Sequence, residues 1–251
     1  MSACGSLRII GLGPGGGQWL TPEASELIAK ASDLIGYAPY LERLPQIKGQ
    51  RRHASGNGAE MERARHGLRL AESGCHAAIV SGGDPGVFAM AAAVFEAIEE
   101  EPRWLSLDVA VSPGISAMQA AAARAGAPLG HDFCAISLSD NLKPWPLVKR
   151  RLCAAASADF VIAIYNPASA ARPNRIHEAF ALLRALKDAS TPVVFVRAAG
   201  RPNEDIAVET LAAADPARAD MNTLIIVGSS ETRIIPRENA APFVYTSRRA
   251  S

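Results

Sequence analysis

Short apolar runs alternate along the chain with stretches in which apolar residues recur every three or four positions, and these two periods predict an α/β fold. Leu7-Arg8-Ile9-Ile10, Ala77-Ala78-Ile79-Val80 and Leu107-Asp108-Val109-Ala110-Val111 read as strands, with Leu34-Ile35-Gly36-Tyr37 a shorter candidate. The second half repeats the pattern at 133–138, 160–164, 193–196, 206–210 and 223–227. Helical spacing covers Ala24, Leu27, Ile28 and Ala31, then 59–73, then Val87, Met90, Val94 and Ile98. It returns in the alanine-rich stretch after Ser116, at about 147–156, and through Ile176, Ala179, Phe180, Leu183 and Leu186. Thr21 suits an N-cap and Pro22 the first helical position. That helix is expected to run to about Ser32 and to carry Asp33. Arg51-Arg52-His53 reads as a loop, 247–251 as a disordered tail, and no internal repeat is visible.

With 251 residues and 49% apolar content, the chain is long enough for two α/β domains. Gly126-Ala127-Pro128-Leu129-Gly130 is the expected boundary, dividing the chain into 1–125 and 126–251. Lys plus Arg number 26 against 25 Asp plus Glu, with no long basic run and few aromatics, which argues against a nucleic-acid partner. No apolar stretch is long enough to span a membrane, and the first residues lack the regions of a signal peptide, so a cytoplasmic protein is expected. Cys4, Cys75, Cys134 and Cys153 are dispersed, read as reduced packing residues, and give no metal site.

The candidate chemistry lies where strands end in turns. Ser81-Gly82-Gly83-Asp84-Pro85-Gly86-Val87 follows a buried strand; adjacent glycines let a flat ligand approach the main chain, and Asp84-Pro85 is expected to lead straight into the helix. Such crevices are where open α/β sheets bind ligands. A purely structural role, with Asp84 capping the helix, is the competing reading. Gly11, Gly13 and Gly16 match the dinucleotide pattern G-x-G-x-x-G, but the helix start is delayed to residue 21 and Pro14 removes an amide where pyrophosphate needs one. Tyr165-Asn166-Pro167 is a further turn at a strand end.

The ordered set Gly11-Leu12-Gly13-Pro14-Gly15, Gly82-Gly83-Asp84-Pro85, Pro113-Gly114-Ile115-Ser116-Ala117, Tyr165-Asn166-Pro167 and Thr223-Leu224-Ile225-Ile226-Val227-Gly228 resembles the tetrapyrrole methylases. These are the S-adenosylmethionine enzymes of corrin and siroheme synthesis. Stretches 34–37, 81–90, 137–145 and 165–172 are similar to the family's ring-contracting corrin branch. Another corrin-pathway methylase, a dinucleotide-dependent oxidoreductase and a non-catalytic tetrapyrrole carrier remain alternatives.

The resemblance implies two α/β domains of the tetrapyrrole methylase type with the active site in the cleft between them, a homodimer, and S-adenosyl-L-methionine as cofactor. It implies cofactor contacts from Pro14, Gly82, Gly83, Asp84, Val87, Ser116 and Ala117. From the second half it adds Tyr165, Asn166, Ala198, Ala199, Asn222 and Thr223. The implied substrate is a small-molecule tetrapyrrole bearing many carboxylates, which calls for arginine forks. The candidates are Arg51, Arg52, Arg172, Arg175, Arg197 and Arg201. No catalytic acid stands out among His53, His131, Asp84 and Asp140.

Overall fold

The computed structural model describes residues 5–168 and 173–249, which fall into two compact units, Met1–Ala117 and Met118–Ser251. The first holds five parallel strands, β1 (Ser6–Gly11), β2 (Asp33–Tyr37), β3 (Arg51–Ser55), β4 (His76–Ser81) and β5 (Asp108–Ser112), in the order β3-β2-β4-β1-β5. Both faces of the central strands are covered, so they read as continuous apolar runs rather than alternating ones. On one side, α1 (Pro22–Lys30) and α2 (Ala38–Leu41) contribute Ile28 and Leu41 to a cluster with Ile10, Leu34 and Val80. On the other, α3 (Glu60–Glu72) and α4 (Met90–Glu100) pack Leu68 and Val94 against Leu7, Ile9, Ile79 and the buried Trp104. The Thr21 hydroxyl accepts the Ala24 amide at 3.1 Å, capping α1 where the sequence expects it.

Three local expectations fail here for physical reasons. Asp33 opens β2 instead of ending α1, and its fully buried carboxylate is held by Arg51, His53 and Ser32. Arg51-Arg52-His53 forms β3 because an edge strand with paired charges needs no apolar signature. Finally, α4 starts only at Met90: Phe88 adopts φ +52, a left-handed conformation that holds the chain out of the helix after Asp84-Pro85.

In the second unit, α5 (Ala117–Ala125) leads into β6 (Gly126–Ala127). The main sheet contains β7 (Phe133–Ser137), β8 (Val161–Tyr165), β9 (Pro192–Arg197), β10 (Asp205–Thr210) and β11 (Thr223–Val227) in the order β10-β9-β11-β8-β7. Only β7 and β8 are parallel; every other pairing is antiparallel. Helices α6 (Trp145–Ser157) and α7 (Arg175–Leu186) bury Val148, Leu152, Phe180 and Leu183 against Ile162, Ile164, Phe195 and Ile225.

A second, three-stranded sheet escapes the sequence pattern: β12 (Thr232–Ile235), β13 (Phe243–Thr246) and β6, in the order β12-β13-β6. It pins the stretch 126–130. A Cβ on Gly126 would lie 2.6 Å from the Val244 carbonyl oxygen, and the Thr246 hydroxyl donates to the Pro128 carbonyl at 2.5 Å. Residues 247–249 have no regular structure, and Ala250 and Ser251 lie outside the described residues, as does Cys4. Among the described residues no helix is long and apolar enough to cross a membrane.

Candidate functional site

In the first unit all strands run the same way, so the turns that follow β1, β4 and β5 leave from one edge, at Gly11, Ser81 and Ser112. They lock main chain to main chain. The Leu12 amide donates to the Ser81 carbonyl at 2.8 Å, while Gly13 and Gly83 exchange amide-to-carbonyl bonds of 3.1 and 2.9 Å. A Cβ on Gly114 would stand 2.3 Å from the Gly83 oxygen, and one on Gly11 2.5 Å from the Gly114 nitrogen, so no side chain fits at either. Asp84 completes the lock: Oδ1 accepts the Gly86 amide at 2.8 Å and Oδ2 the Gly114 amide at 3.0 Å. Here it ties two turns rather than capping a helix.

Two glycines of this edge differ in kind. Gly82 lies against Tyr40, whose ring would be 2.7 Å from an added Cβ. Gly83 has φ +69, yet the nearest atoms to a Cβ there are 3.8–3.9 Å away, the Ala117 nitrogen, the Ile115 oxygen and the Ser116 Cα. Glycine is needed there for its backbone angle rather than for lack of space, and half-buried Gly83 leaves main chain bare at this turn. Pro14 and Ser116 are buried and Val87 is half-buried beside it in sequence. Arg43, which the sequence does not single out, donates to the carbonyls of Gly13 and Gly15 and lies 5.9 Å over the Tyr40 ring.

The second unit also gathers turns on one edge: the ends of β7, β8 and β9 and the starts of β10 and β11. This unites Tyr165, Asn166, Ala198, Ala199, Asn222 and Thr223, which are far apart in sequence. Asn166 and Ala198 have φ +50 and +51, left-handed positions without a glycine. Asn166 Nδ2 donates to Ser137 Oγ at 2.9 Å, and the Ala198 amide donates to the Asn222 carbonyl at 2.9 Å. Asp220 accepts from the Thr223 hydroxyl, the Asn222 amide and Arg197 Nε at 2.7–2.8 Å. Burial opposes its ionisation, but these donors hold its carboxyl below the usual range. The Tyr165 hydroxyl accepts the Met118 amide at 3.1 Å.

The arginine candidates separate. Arg51 pairs bidentately with Asp33 at 2.7 Å, at the starts of β3 and β2, the sheet edge opposite the glycine turns. Arg52 donates to the carbonyls of Leu41, Leu44 and Pro45. Both serve the fold, and neither is carried further as a substrate contact. Arg175 bonds Asp140 and Glu178 at 3.0 Å and lies 4.7 Å over Trp145, and Arg197 bonds Asp220. Arg201, exposed after β9, reaches Asn222 at 3.4 Å. Arg172 lies outside the described residues.

Comparison with known proteins bears on this arrangement. The family model of the tetrapyrrole (corrin/porphyrin) methylases matches residues 6–215. A protein of Sinorhizobium sp. described as a precorrin-3B C(17)-methyltransferase is 56% identical over 245 residues, 97% of this chain and 96% of its own. One from Salmonella typhimurium, described as a probable cobalt-factor III C(17)-methyltransferase, is 40% identical over 96% of this chain and 99% of its own. The crystal structure of the methyltransferase CobJ superposes with a TM-score of 0.92 at 44% identity, covering 97% of this chain and all of that one. With the family model matching residues 6–215 and a 56% identical relative covered nearly end to end, the chain belongs to the tetrapyrrole methylases.

Proposed function

We propose that this protein is an S-adenosylmethionine-dependent methyltransferase that acts at C17 of precorrin-3B, with ring contraction to precorrin-4 in cobalamin biosynthesis. The observation that carries the reading is the 56% identity, over nearly the whole chain, to a relative so described. The bare main chain at Gly83 suits the cofactor, since adenosine and methionine moieties are bound well by backbone groups that no side chain obstructs. Gly82, Gly83, Ser116 and Ala117 would hold it in the first unit, with Tyr165, Asn166, Ala198 and Ala199 contributing from the second. When bound, the cofactor supplies a methyl group on a sulfonium, which leaves as a neutral thioether.

Methyl transfer of this kind is governed by alignment more than by a strong base. The rigid turns serve that need: a turn tied by Asp84 and by the Gly13–Gly83 exchange does not reorganise during reaction. Arg201, Arg197 and Arg175, at or beside the polar edge of the second unit, are the arginines to meet substrate carboxylates. The metal-free precorrin is preferred to a cobalt form because identity is higher to the relative described with the precorrin. A homodimer in the cytoplasm is part of the same proposal.

The test is incubation with precorrin-3B and methyl-labelled cofactor. One label at C17 of a ring-contracted product is expected. Label at C11 of precorrin-4, with precorrin-3B returned unchanged, would assign another corrin methylase. Methylation of a cobalt substrate alone would reverse the choice of precorrin.

A further inference from the structure

Tyr40 stands at the glycine edge of the first unit, and the cofactor reading leaves its hydroxyl unused. It lies in the short helix α2, just after β2, one strand outside β4, β1 and β5, whose turns are tied together. Its ring packs on the apolar cluster that contains Leu34, Leu41 and Val80. Tyr37 meets that ring edge-on with centroids 5.3 Å apart, and the Arg43 guanidinium lies 5.9 Å over it. The orientation so fixed sets the phenol head over Gly82, where an added Cβ would be 2.7 Å from Cζ and 2.8 Å from the hydroxyl oxygen. Phenylalanine would serve the packing as well. A tyrosine hydroxyl drawn out of bulk water usually gains a partner in return, yet among the described residues this half-buried one makes no hydrogen bond.

We propose that the Tyr40 hydroxyl is a substrate contact, donating a hydrogen bond to a carboxylate of the anionic macrocycle beside the Gly82-Gly83 turn. This rests on the methylase reading and names a specificity-determining residue within it. A phenol held by Tyr37, Arg43 and Gly82 offers its O–H with little further loss of freedom. The macrocycle is ringed by carboxylates, and an O–H donated to an ionised oxygen is the strong kind of hydrogen bond. Position favours this ligand over the cofactor. The cofactor needs the bare main chain of the turns after β4, β1 and β5, whereas Tyr40 borders that edge from the β2 side.

Tyr40→Phe keeps the ring and removes only the hydroxyl, so it isolates the contact. In the intact chain, KM for precorrin-3B should rise about tenfold with kcat little changed, as for a lost hydrogen bond to a charged group. Uroporphyrin III, followed by its fluorescence, should bind more weakly by a similar factor. The melting temperature, and its rise with S-adenosylhomocysteine, should match wild type because the ring packing is kept. Unchanged KM and porphyrin affinity would overturn the proposal. So would a loss of S-adenosylhomocysteine affinity alone, which would give the hydroxyl to the cofactor. If the wild-type protein binds the porphyrin in a Tyr40-dependent way but never transfers methyl, the contact stands and the methylase reading falls.

Discussion

The carboxyl edges of the two units solve one structural problem by different means. Each must hold several turns together where strands end. The first does so chiefly through main chain, with Gly11 and Gly114 packed within distances that no Cβ tolerates and Asp84 tying the turns that they border. The second also has main-chain bonds, Leu138 to Tyr165 and Ala198 to Asn222, but adds polar side chains, Asn166 on Ser137 and Asp220 on Thr223, Asn222 and Arg197. An all-parallel sheet delivers three turns side by side from neighbouring strands, close enough for backbones to touch. In the mixed sheet, β11 runs down between β8 and β9, so the turns after those two strands are a strand apart, and Arg197 at the end of β9 reaches Asp220 beside the start of β11 with its side chain. Backbone packing yields a rigid, bare surface, whereas side-chain bridging leaves charged groups at hand for a polar ligand.

That contrast predicts a gradient of sensitivity. Gly114→Ala should have the largest effect, about 3 kcal/mol of stability, because the new methyl meets the Gly83 carbonyl and neither backbone can yield. A denaturation midpoint near wild type would show that the turns are not locked. Asp84→Asn should follow at about 2 kcal/mol, since an amide replaces one of two carboxylate oxygens that accept main-chain amides. A loss under 0.5 kcal/mol would make the Asp84 tie incidental.

On the second edge, Asn166→Ala removes the bond to Ser137 and puts a β-carbon residue without a polar end at φ +50; urea unfolding should show a loss of about 1.5 kcal/mol. Loss as large as for Gly114→Ala would erase the distinction between the edges. Ala198→Gly should instead stabilise slightly, by about 0.5 kcal/mol, because glycine relieves φ +51. A lower melting temperature would mean the Ala198 methyl does more by packing than its backbone loses by strain.

Acid stability sharpens the comparison in a different way. Burial acts against the Asp33 charge, yet Arg51, His53 and Ser32 hold its carboxyl well below the usual carboxylate range. A carboxyl with a depressed folded-state pKa stabilises fully above its unfolded value, near 4, and the contribution is lost as pH falls towards the folded value. Asp33→Asn should therefore flatten the decline in stability below about pH 4, and an unchanged slope in urea titrations across pH 2–5 would contradict it. Asp220→Asn should flatten the same limb less, as that carboxylate is only half-buried.

Much of this was open to reading before any coordinates. The apolar runs at β1, β4, β8, β9 and β11 are buried core strands whose periodicity survives tertiary packing, and Thr21-Pro22 starts α1 by local chemistry alone. The hairpin of β12 and β13 was not legible, since its exposed positions include Ile235, Phe243 and Tyr245, so hydropathy does not follow the alternating burial of β13. Likewise no local pattern singles out Arg63 in α3 or Arg43 in the turn after α2, whose bonds are made only by the folded chain.

The sequence by itself determined where strands stop and which turns are free of side chains, because glycine, proline and apolar period act over a few residues. Only the tertiary structure decided which turns meet and which charges are already taken. The order β3-β2-β4-β1-β5 brings Gly11, Gly83 and Gly114 together across about a hundred residues of chain. Arg51 is bound to Asp33 eighteen residues away, while Arg63 is buried against Ser55, Gly56 and Met90. Those outcomes depend on long-range register and on burial, which no local stretch of sequence encodes.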